Sequence, residues 1–390
     1  MKIGYLVPEF PGQTHGFFWR ETGHLEKSGI AVALISTKRP RTVVEHGFSA
    51  EARARTHYMT DFLVADCVAW AAAMVRAIFL LRASGLEVSM KSRARLSLLA
   101  AAGIMLARLA KRRGLQHIQG HSCGDVGYIL AFSKLAGGPP YSLTLHGDLA
   151  IYGSGQAFKF AHAKFVTCVT HALCDQVRQQ LPGLQTPVVM IRMGIEPSTP
   201  DLPPVTWSPA GALHMVTVAR LNRMKGHQFA IAAMDRLVRE GYDMRYTIAG
   251  EGECTDEIAA LVKAAGLHDR VSLVGAVPNN EIDALLRSHD VCVLSSVGLG
   301  EAAPVAVMEA MRAGIPVVSS IIGGTPELIE DNGNGFLFPQ RDVAELTGRL
   351  RNLADDVALR ERIGNAGKRH ANATFLTSDA VSRLVECIKA

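Results

Sequence analysis

Residues 219–226 read Ala-Arg-Leu-Asn-Arg-Met-Lys-Gly. The apolar pattern before them ends a strand at Arg220, and the next helix begins beside Lys225. A diphosphate placed there would meet a planar guanidinium fork, an ammonium point charge and the positive end of a helix. A departing nucleoside diphosphate gathers negative charge in the transition state, and preorganised cations stabilise that charge. The same spacing also fits two exposed cations beside a turn. A second constellation is Gly298-Leu-Gly-Glu301-Ala-Ala-Pro304-Val-Ala-Val-Met-Glu309. Pro304 suits the first turn of a helix, where its missing N–H costs nothing. The amides of Val305 and Ala306 are then open to a phosphate. Glu301 lies in the glycine-rich approach and can reach a sugar hydroxyl. Glu309 sits about 7–8 Å further along the helix axis, where a carboxylate can accept from ribose hydroxyls or from a nearby arginine.

Short apolar strands and longer helical stretches must position these groups. In the first half, strands are expected at Ile3–Val7, Ile30–Ser36, His117–Gln119, Ser142–Leu145, Lys164–Cys168 and Val188–Ile191. From His214 the alternation restarts, with helices that stop at Gly241, Gly266 and Gly314. Strand–helix alternation with short glycine turns predicts parallel sheets covered on both faces. Between the halves lies Pro197–Pro209, whose five prolines in 13 residues cannot continue a helix or a central strand. The expected organisation is a domain over 1–196, a Pro-rich linker over 197–211, a second domain over 212–377 and a terminal helix over 378–390. Two such sheets would hold a ligand in a cleft beyond the C-terminal ends of their strands.

At 390 residues, two cores are the natural reading. The seven cysteines contain no Cys-x-x-Cys pair, which argues against a zinc site or a disulfide framework and for a reducing cytoplasm. The N-terminal Met-Lys-Ile-Gly-Tyr-Leu-Val-Pro reads as a buried strand rather than a signal peptide. The net charge of +5 is uneven: residues 1–195 hold 22 Lys and Arg against 11 Asp and Glu, the remainder 19 against 25. Nine of those cations fall between Arg76 and Arg113 with one acid, Glu87, among apolar runs too short to span a bilayer. Two basic amphipathic helices over about 68–113 lying on an anionic membrane surface, or two ordinary helices with a solvated basic face, both fit. The stretch carries no aromatic residue after Phe79 and no binding motif, which argues against nucleic acid. Gly250-Glu-Gly252 lacks the third glycine of a dinucleotide fingerprint. No Gly-x-Ser-x-Gly elbow and no Asp-x-Asp run is present.

Glu301, seven residues, Glu309, then Ala-Met-Arg-Ala-Gly-Ile-Pro-Val-Val resembles the signature of family 4 of the retaining glycosyltransferases. Ala219-Arg220 to Lys225-Gly226, Ala249–Gly252, Val271–Gly275, Gly323–Glu327 and Gly333–Phe338 follow in that family's order and spacing. The match is dense over about 212–340 and loose elsewhere. It implies an α/β GT-B fold, two Rossmann-like domains facing each other across a cleft, with the helix Ser378–Lys389 returning to the first domain. It implies a metal-independent transfer of a hexose from a UDP- or GDP-sugar, with retention, to a lipid-linked or oligosaccharide acceptor in cell-surface polysaccharide synthesis. The sugar nucleotide is then a substrate, and no cofactor is needed. The enzyme would be cytoplasmic and peripheral at the inner membrane.

Carried over by position, Arg220 and Lys225 would bind the donor diphosphate, Glu309 the ribose and Glu301 the transferred sugar. The main chain around Gly250 and Gly275–Val277 would meet the nucleoside, and the amides at Ala303, Pro304 and Val305 the phosphate and sugar. In the first half, Tyr141–Asp148 resembles the strand that ends in a histidine beside the reaction centre, here His146, with Asp148 near it. His121 matches the histidine ending the preceding strand. The loop Pro8–His15 keeps only Gly12 of the double glycine expected against the donor phosphate. A sugar-nucleotide epimerase or hydrolase and a non-catalytic sugar-nucleotide-binding subunit are the rival readings.

Overall fold

The computed structural model describes residues 1–12, 16–40, 46–61, 66–86, 90–198 and 202–390. Gln13–His15 of the loop after the first strand, Glu87 of the basic stretch and Thr199–Asp201 of the Pro-rich segment lie outside the described residues. The chain divides into two units, Met1–Arg192 with Ser378–Ala390, and Met193–Thr377.

The first unit is built on strands β1 (Lys2–Glu9), β2 (Ala31–Lys38), β3 (His57–Tyr58), β4 (His117–His121), β5 (Tyr141–Leu145), β6 (Phe165–Cys168) and β7 (Val188–Met190). They form one parallel sheet in the order β3-β2-β1-β4-β5-β6-β7. The strands β4, β5 and β6 are buried along their whole length, as strands covered on both faces must be. Order reverses between β1 and β4, which opens a crevice beyond their C-terminal ends. The helix Thr377–Lys389 returns to this unit: Val381, Leu384, Val385 and Ile388 pack with Ile3, Tyr5 and Val7. Lys164 Nζ donates to the Ile388 carbonyl at 2.9 Å.

The basic stretch forms the helices Cys67–Ala83 and Met90–Arg113, and the two differ in kind. Met90–Arg113 buries Leu96, Ala100, Ala101, Ile104 and Ala110 and packs along the helix Asp125–Leu135, so it is a core helix with a basic end. Gly103 permits that approach, because a Cβ there would lie 2.7 Å from the Ile129 carbonyl oxygen. Two surface-lying helices were expected, and Met90–Arg113 is not one of them. Only Cys67–Ala83 stays shallow, burying Ala73 and Ala77 and exposing Val68, Val75, Ile78 and Phe79. No helix among the described residues is long and apolar enough to cross a membrane.

The second unit carries β8 (Ala212–Val218), β9 (Asp243–Ala249), β10 (Val271–Gly275), β11 (Val291–Leu294), β12 (Val317–Ser320) and β13 (Phe336–Phe338). They form a parallel sheet in the order β10-β9-β8-β11-β12-β13, with its reversal between β8 and β11. The Pro-rich segment does not stand apart as a linker. The division falls between Arg192 and Met193, and the described part of the segment is held on this unit. Ile195 bridges Leu376, Ser198 Oγ donates to the Arg312 carbonyl at 3.1 Å, and Val205 and Trp207 pack on the core. Proline excludes regular structure there but does not exclude packing.

Candidate active site

At the reversal of the second sheet, the turn after β8 meets the loop after β11. The Asn222 side chain accepts from the Lys225 amide at 3.2 Å and closes the single turn Arg223–Lys225. Val297 N donates to the Met224 carbonyl at 2.7 Å, which ties the two segments together. Across this junction Lys225 Nζ pairs with Glu301 Oε2, both side chains largely enclosed. Ser296 Oγ donates to the same carboxylate oxygen at 3.2 Å. Arg220 is exposed, and its guanidinium makes no ion pair among the described residues. Its carbonyl lies 3.5 Å from His227 Nε2. Burial first, and the Lys225 charge with it, lowers His227 to about 4, so a neutral imidazole backs the two cations.

The loop from Glu301 runs into the helix Val305–Ala313, whose N-cap is Pro304 and carries no side-chain cap. Ala303 and Pro304 are buried in this approach. The Val307 amide already bonds the Pro304 carbonyl at 3.1 Å, whereas those of Val305 and Ala306, in the first turn, have no partner within the helix. The turn Gly323-Gly324 clamps the loop. Gly324 N donates to the Ala302 carbonyl at 2.7 Å, and a Cβ on Gly323, at φ +52°, would lie 1.7 Å from the Glu301 carbonyl oxygen. Glu309, the fifth residue of the helix, is only 7% exposed. Burial and the charge of Glu309 raise the Cys292 thiol to about 12. Gly250 N donates to the Gly275 carbonyl at 2.7 Å, locking the ends of β9 and β10, and Val277 packs on the core.

In the first unit, β4 and β5 pair with His121 opposite Thr144, so His121 and His146 emerge side by side. His121 Nδ1 and His146 Nε2 are 3.0 Å apart. His121 is fully buried, and its Nε2 lies 3.4 Å from Glu21 Oε1 on the helix Gly16–Lys27. Tyr5 of β1 donates its hydroxyl to that carboxylate at 3.0 Å, with its ring 4.4 Å from that of His121. Phe17 and Phe18 flank His146. The His146 amide donates to the Tyr152 hydroxyl at 3.0 Å. Asp148 Oδ1 accepts from Gln176 Nε2 at 3.4 Å. Gly12 is buried in the segment that follows β1.

The model of the family described as "Glycosyl transferases group 1" matches residues 204–370. This segment is a glycosyl transferases group 1 domain. The chain is similar to the putative colanic acid biosynthesis glycosyltransferase WcaL of Escherichia coli, 39% identical over 167 residues, 42% of this chain and 41% of the relative. It is also similar to the amylovoran biosynthesis glycosyltransferase AmsK of Erwinia amylovora, 39% identical over 175 residues, 43% of this chain and 42% of that one. The chain thus spans about two fifths of the length of these curated relatives. Among solved structures, sucrose-phosphate synthase of Thermosynechococcus elongatus superposes with a TM-score of 0.74 at 16% identity, over 100% of this chain and 98% of that one. Anabaena HepE, solved in complex with UDP-glucose, gives 0.72 at 16%, over 100% and 99%. The fold is that of the GT-B glycosyltransferases, with two Rossmann-like parallel sheets.

The glycosyl transferases group 1 domain therefore brings Lys225, Glu301 and the Pro304 helix to one sheet reversal, with Arg220 on the turn that enters it. Gly250 and Gly275 serve first as a backbone lock between strands. Residues that sequence reasoning passed over are Asn222 and Ser296 in this domain, and Tyr5, Glu21 and Tyr152 around the histidines. Asn222 sits inside the Ala219–Gly226 stretch, and the other four fall in no motif. Only Ser296 lies directly beyond a strand end; Tyr5 is within β1, Glu21 on the helix Gly16–Lys27 and Tyr152 in the turn after β5, so position along the chain gave no signal for them.

Proposed function

We propose that the protein is a retaining glycosyltransferase of exopolysaccharide biosynthesis that moves a hexose from a UDP- or GDP-sugar to a lipid-linked or oligosaccharide acceptor. The observation that carries this reading is the Lys225–Glu301 pair set beside the uncapped helix at Pro304. A diphosphate at the helix end would gain the first-turn amides of Val305 and Ala306 and the ammonium, and Arg220 can close on it from the turn. Those groups supply the positive charge that a metal would otherwise bring to the leaving group. Glu301, once Lys225 turns to phosphate, is available to a sugar hydroxyl, and Glu309 to the ribose. His146 stands on the acceptor side, with His121 and Asp148 near it. Retention follows from front-face attack, in which the acceptor hydroxyl gives its proton to the departing phosphate oxygen as the new glycosidic bond forms.

A thermal-shift panel of UDP- and GDP-sugars tests donor choice. One base is expected to raise the melting temperature, by about 2.7 kcal/mol of added stability at a hundredfold excess over Kd. No shift with either base would defeat the reading. Donor consumption with and without a crude lipid-linked acceptor separates transfer from the rival chemistries: consumption that ignores the acceptor would mean an epimerase or hydrolase.

The cytoplasmic face of an anionic membrane fits the helix Cys67–Ala83. Val75, Ile78 and Phe79 are exposed on it beside Arg76 and Arg82, and Arg93 joins them from the neighbouring helix. Apolar side chains would enter the headgroup boundary while each arginine adds about 1 kcal/mol near anionic lipid. In liposome flotation the protein is expected to rise with anionic vesicles at low salt and to stay down at high salt. Phe79→Glu should weaken flotation severalfold. Binding indifferent to lipid charge and to salt would refute this part.

A further inference from the structure

The helices Cys67–Ala83 and Met90–Arg113 enclose a cleft of about 220 Å³ lined by Ile78, Leu81, Arg82, Leu86, Arg93 and Ser97. Spacing along the chain explains this lining. Residues 78, 81 and 82 share one face of the first helix, and residues 93 and 97 share one face of the second. Each helix therefore brings one arginine to the same space, over a wall of Ile78, Leu81 and Leu86. The volume is below the roughly 300–1,000 Å³ of a pocket for a drug-sized molecule, so the cleft suits a headgroup rather than a whole amphiphile.

These two arginines differ from others of the basic stretch. Arg95 pairs with Asp125, Arg108 Nη1 donates to the Ala69 carbonyl at 3.3 Å, and Arg112 lies 4.0 Å from Asp66. Arg82 and Arg93 make no hydrogen bond and no ion pair among the described residues. Two guanidinium groups on one cleft with no acid between them repel each other. Arg93 bears a second cost: it sits in the first turn of its helix, where the dipole disfavours a cation, and that turn holds no acid. An anion in the cleft removes both costs. A guanidinium presents a planar fork that matches phosphate oxygens. A phosphomonoester, with about −1.5 to −2 charge at neutral pH and three acceptor oxygens, balances two such forks, whereas a phosphodiester brings a single charge. The wall points to the source. Ile78 is 46% exposed and continues into the exposed Val75 and Phe79, an apolar track that free phosphate would not use.

We infer that this cleft binds the phosphomonoester headgroup of a lipid. Arg82 and Arg93 are its forked donors, Ser97 adds a hydroxyl, and the hydrocarbon leaves over Ile78 towards Val75 and Phe79. A general attraction to anionic surface then becomes selection of one headgroup. The lipid source rests on the membrane reading of the helix Cys67–Ala83, whereas the anion site does not, and neither depends on sugar transfer.

Flotation of the full chain with vesicles of matched zeta potential, carrying either phosphatidic acid or phosphatidylglycerol, tests the site. The wild type is expected to bind phosphatidic acid vesicles about tenfold more tightly, the worth of one charge-assisted hydrogen bond. Arg82→Gln and Arg93→Gln should each abolish that preference. Arg76→Gln, which removes an equal charge from the same helix outside the cleft, should keep it. Arg82→Lys keeps the charge without the fork and should recover only part. Equal binding of the two lipids by the wild type, or equal losses in all three glutamine variants, would overturn the proposal in favour of diffuse charge. Millimolar inorganic phosphate at fixed ionic strength should leave the preference in place, and its loss would overturn the lipid source. Calorimetric titration with dioctanoyl phosphatidic acid below its micellar concentration separates the site from the membrane reading. Binding that Arg93→Gln removes, in a protein that floats with no vesicle, would defeat the membrane reading and leave the site standing. Salt-sensitive flotation without lipid preference would do the reverse, and no binding in either assay would defeat both.

Discussion

Lys225→Ala is expected to lower sugar-transfer kcat by about 10²–10³-fold, the cost of removing one preorganised donor from a site where negative charge develops. The ammonium is the only side-chain cation among the described residues that pairs with Glu301, and it reaches that carboxylate across 76 residues of sequence. Two effects add. The departing diphosphate loses a charge partner, and Glu301 keeps only the Ser296 hydroxyl at 3.2 Å, so its carboxylate is no longer held for a sugar hydroxyl. Lys225→Arg should recover only part of the loss, because a planar fork on a different stem does not place a point charge at the same spot. Stability should fall by about 1–3 kcal/mol, since the pair is largely enclosed and Glu301 loses a charged hydrogen-bond partner. Steady-state release of nucleoside diphosphate, read beside the melting temperature, checks both halves. Turnover near wild type in a folded Lys225→Ala protein would remove the central residue from the mechanism. Glu309→Gln is a useful companion: a ribose contact predicts mainly a raised donor KM.

The second unit was readable because its information is local. Most strands are short apolar runs, three of the helices stop at Gly241, Gly266 and Gly314, and the donor groups fall in two stretches of eight and twelve residues. Parallel sheets bury both faces, so hydrophobic runs alone give the layer order. What brings the two stretches together is the reversal between β8 and β11, and that follows from alternation with right-handed crossovers. The first unit yielded less. Its line of Tyr5, Glu21, His121 and His146 depends on β1, β4 and β5 lying side by side, and no spacing along the chain encodes that. The helix Met90–Arg113 misled for a different reason. Charge density says that a helix has a wet side, but small residues such as Ala100, Ala101 and Gly103 decide whether its other side meets lipid or a second helix. The Pro-rich segment shows the same limit: proline forbids regular structure, while the packing of Val205 and Trp207 is a property of the surface beneath them.

Arg360→Ala should destabilise the second unit by about 3–5 kcal/mol, the range for breaking a buried ion pair from one side. Arg360 is completely buried on the helix Val357–Thr374, and Asp290, which it meets at 3.1 Å, is 1% exposed. The guanidinium also donates to the carbonyls of Leu353, Ser208, Pro209, Ala212 and Ala354. Asp290 in turn accepts from the amides of Ser208 and His214 at 2.8 and 2.7 Å. One side chain therefore fixes the entry to β8, the entry to β11 and the last turn of the preceding helix, and truncation strands a charge and several carbonyls at once. For a unit of this size the loss corresponds to roughly 10 °C in Tm. A double mutant, Arg360→Met with Asp290→Asn, should be less destabilised than the sum of the single changes, by about 1–3 kcal/mol. Additive single changes would mean that the pair is not coupled. These residues sit at the N-terminal ends of the strands, whereas Lys225 and Glu301 follow the C-terminal ends. Turnover per folded molecule should accordingly survive in Arg360→Ala at low temperature, the reverse of the Lys225→Ala result. Together the two variants separate the scaffold of the sheet from the chemistry at its edge.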